Sequence, residues 1–142
     1  MRIFRVSLLA CVAFALGAQA WAQTPTHLSK KERIALCEHK QDVPFDPADP
    51  KPLEIDEVKG QSTRPVLIHR VGPHGLSGLR GKAIIKAILD EEGCVRQPMI
   101  VDGQGTSMAD AGLDAVRKWV FEPATVDGHP VRVFYVVTFN VH

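Results

Sequence analysis

Residues 131–141 alternate without a break. Val131, Val133, Tyr135, Val137, Phe139 and Val141 are apolar, and Arg132, Phe134, Val136, Thr138 and Asn140 fall between them. A period of two sends these sets to opposite faces of a strand. One face must be buried under another layer, so the chain requires a sheet and something packed on it.

The fifty residues before that strand supply both. Residues 83–89 form an apolar strand interrupted only by Lys86 and closed by the turn cluster Asp90-Glu91-Glu92-Gly93. Residues 99–101 suggest a shorter strand. Ser107 precedes Asp110 by three, the spacing of a helix N-cap with an acidic partner. Behind it Ala109, Gly112, Leu113, Val116 and Val120 recur at helical spacing on one face. Asp127-Gly128 is a hairpin turn signal. The expected fold class is α+β, a small antiparallel β-sheet of three or four strands with the 107–119 helix on one face. Leu113 and Val116 are expected to be buried against Ile85 and Leu89.

The same stretch resembles the TonB C-terminal domain, the periplasmic part of proteins that couple inner-membrane energy to outer-membrane transporters. The residues that carry the resemblance are Gly81 opening an apolar strand, the acidic turn ending at Gly93, and Leu113-Asp114-Ala115-Val116-Arg117. Trp119-x-Phe121-x-Pro123-Ala124, Asp127-Gly128-x-Pro130-Val131 and the closing strand complete it. The resemblance implies a non-enzymatic interaction module that adds an extended segment of an outer-membrane receptor, or of another periplasmic protein, to its sheet edge. The expected partner-binding row is Arg132, Phe134, Val136, Thr138 and Asn140, partly open, opposite a buried row of Val133, Tyr135, Val137 and Phe139. A homodimer through that edge is the competing use of it. The family's Tyr-Pro pair before Gly81 is reduced to Pro73, without the tyrosine.

Residues 1–22 read as a signal peptide: the basic start Met1-Arg2-Ile3-Phe4-Arg5, an apolar run at 6–18, and small-x-small sites at Ala18-Gln19-Ala20 and Ala20-Trp21-Ala22. Export to the periplasm follows, and membrane contact follows only if this segment is retained as an anchor. Lipidation at Cys11 is disfavoured by the short apolar region before it. Residues 23–41 add a helix outside the resemblance, with Ser29 as N-cap and Glu32 as its capping-box partner. Ile34, Leu36 and Cys37 make only a narrow apolar stripe, so the helix must lean on something else. Residues 42–65 contain Pro44, Pro47, Pro50, Pro52 and Pro65 and read as a linker or extended strap. Tethered TonB proteins carry a long proline-rich spacer here; this one would reach on the order of 65–70 Å in polyproline geometry. Residues 66–142 form the main domain, beginning with a strand at 66–71.

Without the signal, roughly 120 residues fit one domain. A formal charge of +1 with scattered basic residues gives no nucleic-acid footprint. Of three cysteines, Cys37 and Cys94 remain in an oxidising compartment, and a disulfide between them would pin the added helix.

No cofactor, metal or catalytic set emerges. Gly103-Gln104-Gly105 lies between strand and helix, but Met108 stands where a dinucleotide loop needs its third glycine. Gly75-Leu76-Ser77-Gly78 has its glycine one residue too early for a nucleophile elbow. His27, His39, His69, His74, His129 and His142 form no metal-binding spacing. Asp90-Glu91-Glu92 reads as a solvated turn, and Trp119 and Phe121 as core and corner residues. The alternative to a receptor-coupled domain is a secreted periplasmic accessory that keeps the fold without the coupling role.

Overall fold

The computed structural model describes residues 28–40, 43–75, 77 and 80–141. The expected signal peptide at 1–22 and the first residues of the added N-terminal segment lie outside them, as do Leu76, Gly78, Leu79 and His142.

Two long strands set the frame. β3 (Gly81–Leu89) and β8 (Val133–Val141) pair antiparallel in unbroken register, from Gly81 opposite Val141 to Leu89 opposite Val133. β4 (Val95–Asp102) returns from the 90–93 turn along the other side of β3, giving the order β4-β3-β8. β3 is central, and its alternating set Ala83, Ile85, Ala87 and Leu89 is buried in the main core. β4 is longer than the strand expected at 99–101. It passes through Pro98 by a bulge, with Gln97 at φ +45° and the register shifting between Lys86 and Ile88. Period-two reading misses a strand interrupted in this way.

α2 (Ser107–Arg117) packs over β3 and β4. Its buried face is Met108, Ala109, Gly112, Ala115 and Val116. At Gly112 a Cβ would stand 3.1 Å from side-chain carbons of Ile85 and Phe139, so the missing side chain lets the helix lie close to the sheet. The helix rolls onto this small-residue side, which leaves Leu113 half-buried on its flank rather than buried as expected. The N-cap is Thr106, not Ser107. Thr106 is extended (φ −101°, ψ 141°); its Oγ1 accepts from Ala109 N at 3.1 Å and donates to Gly103 O at 2.7 Å. Both residue types can cap a helix; closure of the 103–106 loop decides for the threonine.

After the helix, β5 (Val120–Glu122) pairs antiparallel with β2 (Val66–His69). β2 stops two residues short of Val71, whose carbonyl instead accepts from Trp119 Nε1 at 2.7 Å. Trp119 and Phe121 are buried, in contact with Phe139 (5.9 Å) and Tyr135 (4.8 Å) respectively. β6 (Ala124–Val126) and β7 (His129–Val131) form the hairpin, with Asp127 at φ +50° and Gly128 at φ +80°. Two consecutive left-handed residues match the twist of the strands they join. β1 (Ser62–Thr63) adds to β6.

α1 (Lys30–Lys40) begins at the expected capping box. Ser29 N donates to Glu32 Oε2 at 2.9 Å, and Glu32 N donates to Ser29 Oγ at 3.4 Å. Hydrogen bonds from the Ser29 side chain and backbone hold the Glu32 carboxyl below its ordinary range. The helix docks through Cys37, which is disulfide-bonded to Cys94 with Cα atoms 5.1 Å apart. Around that bond Val120, Ile34 and Ile68 make a second, smaller apolar cluster. A narrow stripe suffices because the attachment is covalent.

Candidate partner-binding edge

The unbroken alternation of 131–141 is divided between two sheets. Val131 pairs with Ala124 in the hairpin and Val133 with Leu89 in the main sheet, so the strand changes partners at Arg132. Arg132 is only 9% exposed and does not belong to the open row in which it was expected. Its carbonyl accepts from Leu53 N at 2.9 Å, and Phe134 N donates to Leu53 O at 3.0 Å. Leu53 thus forms one parallel rung on the outer side of β8.

That rung orients the remainder of the strand. Phe134 N–H points away from β3, and by the two-residue period so do the N–H groups of Val136, Thr138 and Asn140. Among the described residues no strand lies beyond them. Val136 is 56% exposed, Thr138 and Asn140 are exposed, and Phe134 is half-buried under Lys86, whose Nζ lies 3.9 Å from the ring centroid. In the opposite row Val133 and Phe139 are buried, whereas Tyr135 and Val137 are half-buried. The expected burial of those two fails because α2 sits over β3 and β4.

The chain before this sheet is a strap, folded onto it. Phe45 lies against two guanidinium groups, that of Arg132 at 4.1 Å and that of Arg96 at 4.6 Å. Arg132 also contacts Asp49 and Glu91, each at 3.3 Å, and donates to Pro50 O. Arg96 donates to Val43 O and to Asp90 Oδ2 at 3.3 Å. After Leu53 the strap turns through a 3₁₀ turn, Ile55–Glu57, and Ile55 packs against the core. It ends on the hairpin, where Asp127 N donates to Gln61 O and Thr63 Oγ1 lies 2.7 Å from Thr125 Oγ1. The segment therefore does not extend as a 65–70 Å arm.

The acidic turn is not uniformly solvated. Asp90 is buried, and its Oδ1 accepts from Cys94 N at 2.8 Å and Glu92 N at 3.2 Å. Burial raises its carboxyl above the ordinary aspartate value, against the lowering effect of the Cys94 hydrogen bond. Glu91 faces Arg132, and Glu92 pairs with Lys40 of α1 at 2.8 Å. Gly93 follows at φ +84°, and a Cβ there would fall 1.9 Å from Phe121 O, so only glycine fits.

Other candidate chemistry does not assemble among the described residues. His69 and His74 line separate shallow hollows beside Val71 and Lys118, and His39 and His129 are exposed. Among the described residues no three potential metal ligands come together, and no helix is long and apolar enough to cross a membrane. His27 and His142 lie outside the described residues. Sequence reading missed Phe45, Leu53, Glu54 and Lys86 as neighbours of the edge. A lone Leu53 between Pro52 and Glu54 carries no periodic signal, and its pairing with β8 spans about eighty residues of chain.

No curated protein and no solved structure matches the chain. A family model does match residues 76–141, described as the Gram-negative bacterial TonB protein C-terminal. These residues run from just before β3 through the end of β8 and include α2 and the hairpin. The segment that this model matches holds an antiparallel sheet with one helix on its face, the α+β arrangement expected from the resemblance to the TonB C-terminal domain.

Proposed function

We propose that the outer edge of β8 binds an extended segment of an outer-membrane receptor, or of another periplasmic protein, as an added strand. The observation that carries this reading is a nine-residue strand paired in unbroken register on one side, with no partner strand on its other side after Phe134 among the described residues. Edge backbone groups of this kind are a template for a further strand. The domain family is one of energy-coupled periplasmic interaction modules rather than enzymes, which supports a binding role without chemistry.

Val136→Pro tests it. The Val136 N–H points outward, so proline removes a donor needed by the guest while sparing the bonds to β3. Capture of synthetic peptides from receptor N-terminal segments should fall more than tenfold. Phe134→Ala should weaken it less, with the fold retained in both variants. Unchanged capture by both overturns the reading, as does a stable dimer whose dissociation Val136→Pro alone brings about.

A second reading, the periplasmic accessory without receptor coupling, is favoured by one observation. The stretch that serves tethered TonB proteins as a spacer is here folded onto the domain by Phe45, Leu53 and the β1–β6 pairing. Cell fractionation with N-terminal sequencing separates the two: a mature start at Trp21 or Gln23 favours the accessory, and retention of Met1 in the membrane fraction favours the transducer.

A further inference from the structure

The strap already occupies the first rung of the β8 edge, and it brings a side chain with it. Next to Leu53, Glu54 reaches Lys86, with Oε1 3.5 Å from the Nζ that lies over the Phe134 ring. Both side chains are partly open, at 35% for Lys86 and 53% for Glu54, so the pair is loose and exchangeable. Lys86 stands directly opposite Val136, the first residue beyond the strap whose outward N–H meets no partner strand among the described residues. On the same face Lys82 stands opposite Asn140 at the other end of the free edge, exposed. β3 and β8 together carry these two lysines and no carboxylate.

Resting on the edge-binding reading above, we propose that Lys86 is a specificity-determining residue. It receives an acidic side chain of the guest strand beside Val136, and Glu54 holds that place while the edge is empty. A strand added to β8 lies two strand spacings from β3, roughly 9–10 Å. A lysine stem reaching outward and a glutamate reaching inward span that gap, as Lys86 and Glu54 do now. The occupant fitted by this arrangement is an extended segment with one carboxylate. Its position along β8 is limited at one end by the 3₁₀ turn that follows Leu53.

The test uses the full chain and three labelled nonapeptides of valine and threonine that carry glutamate, glutamine or lysine at one position, scanned along the peptide. At a single position the glutamate form should bind about three- to fivefold more tightly than glutamine, and lysine more weakly by a similar factor, the size of an exposed charge pair. The difference should shrink as salt is raised. Lys86→Met should erase the preference and Lys86→Glu should reverse it. Glu54→Gln should improve the glutamate peptide about twofold by removing its competitor. Equal binding of all three peptides, or a preference that survives in Lys86→Met, overturns this inference while leaving the edge reading intact. Failure of the unaltered chain to bind any of them overturns both.

Discussion

The central sheet has two outer strands, and they are built differently. β4 is short of regular rungs: Pro98 has no N–H, Gln97 sits at positive φ, and its register against β3 shifts twice. β8 holds one register for nine residues and has no proline. Irregularity, proline and bulging are the means by which edges resist added strands. Met99 and Val101 on β4 are as exposed as Val136 on β8, at 57% and 51% against 56%. Exposed apolar side chains therefore do not distinguish the edges; the regularity of the backbone does. Each strand is also held at one end, β4 by the disulfide and the Asp90–Arg96 pair, β8 by the strap at Leu53.

The largest expected effect lies at the closed edge. Asp90→Ala removes the partner of a buried guanidinium and two backbone hydrogen bonds of the turn, and should cost about 3–5 kcal/mol in urea unfolding. Arg132→Ala, whose acidic partners Asp49 and Glu91 are partly open, should cost less, about 1.5–3 kcal/mol. Equal losses would remove the distinction between a deeply locked end and a strapped one. The Asp90 carboxyl also gives a sign for pH. Its folded pKa is raised above 3.8, so the folded protein holds that proton more tightly than the unfolded chain. From this group, stability falls as pH rises from 3.8 through the raised value, and that component should be absent in Asp90→Asn.

Replacing Cys37 and Cys94 together by serine should cost about 2–4 kcal/mol. The loss should appear first as exposure of α1 and β5, because Val120 and Ile68 share its small cluster. Binding of peptides to β8 should be nearly unaffected, since the disulfide lies at the β4 end; a large loss of binding would mean that the two ends are coupled.

The smallest effect is local. Native-state hydrogen exchange should alternate along the end of β8, with fast amides at Val136, Thr138 and Asn140 and slow ones at Val137 and Phe139. A bound guest should slow the first set alone. Uniform protection in the free protein would show that the edge is already covered.

The features legible in the sequence were those set by neighbours within a few residues. Period two gave β3 and β8, the Ser29–Glu32 spacing gave the capping box, and Asp127-Gly128 gave a turn that needs two left-handed residues. The Cys37–Cys94 bond was legible for a different reason: an expected signal peptide would take Cys11 with it and leave two thiols to pair. Distant contacts decided the rest. Arg132 follows the alternation perfectly, yet the strand changes sheets there because Asp49, Glu91 and Phe45 gather on its guanidinium. Thr106 rather than Ser107 caps α2 because Gly103 closes the loop. Leu53 lies on β8 because the strap is clamped at Phe45 and again at Gln61. Local pattern specifies which residues can form a strand; only the assembled structure determines which side of that strand remains free, because its backbone groups are satisfied or left open by residues far away in the chain.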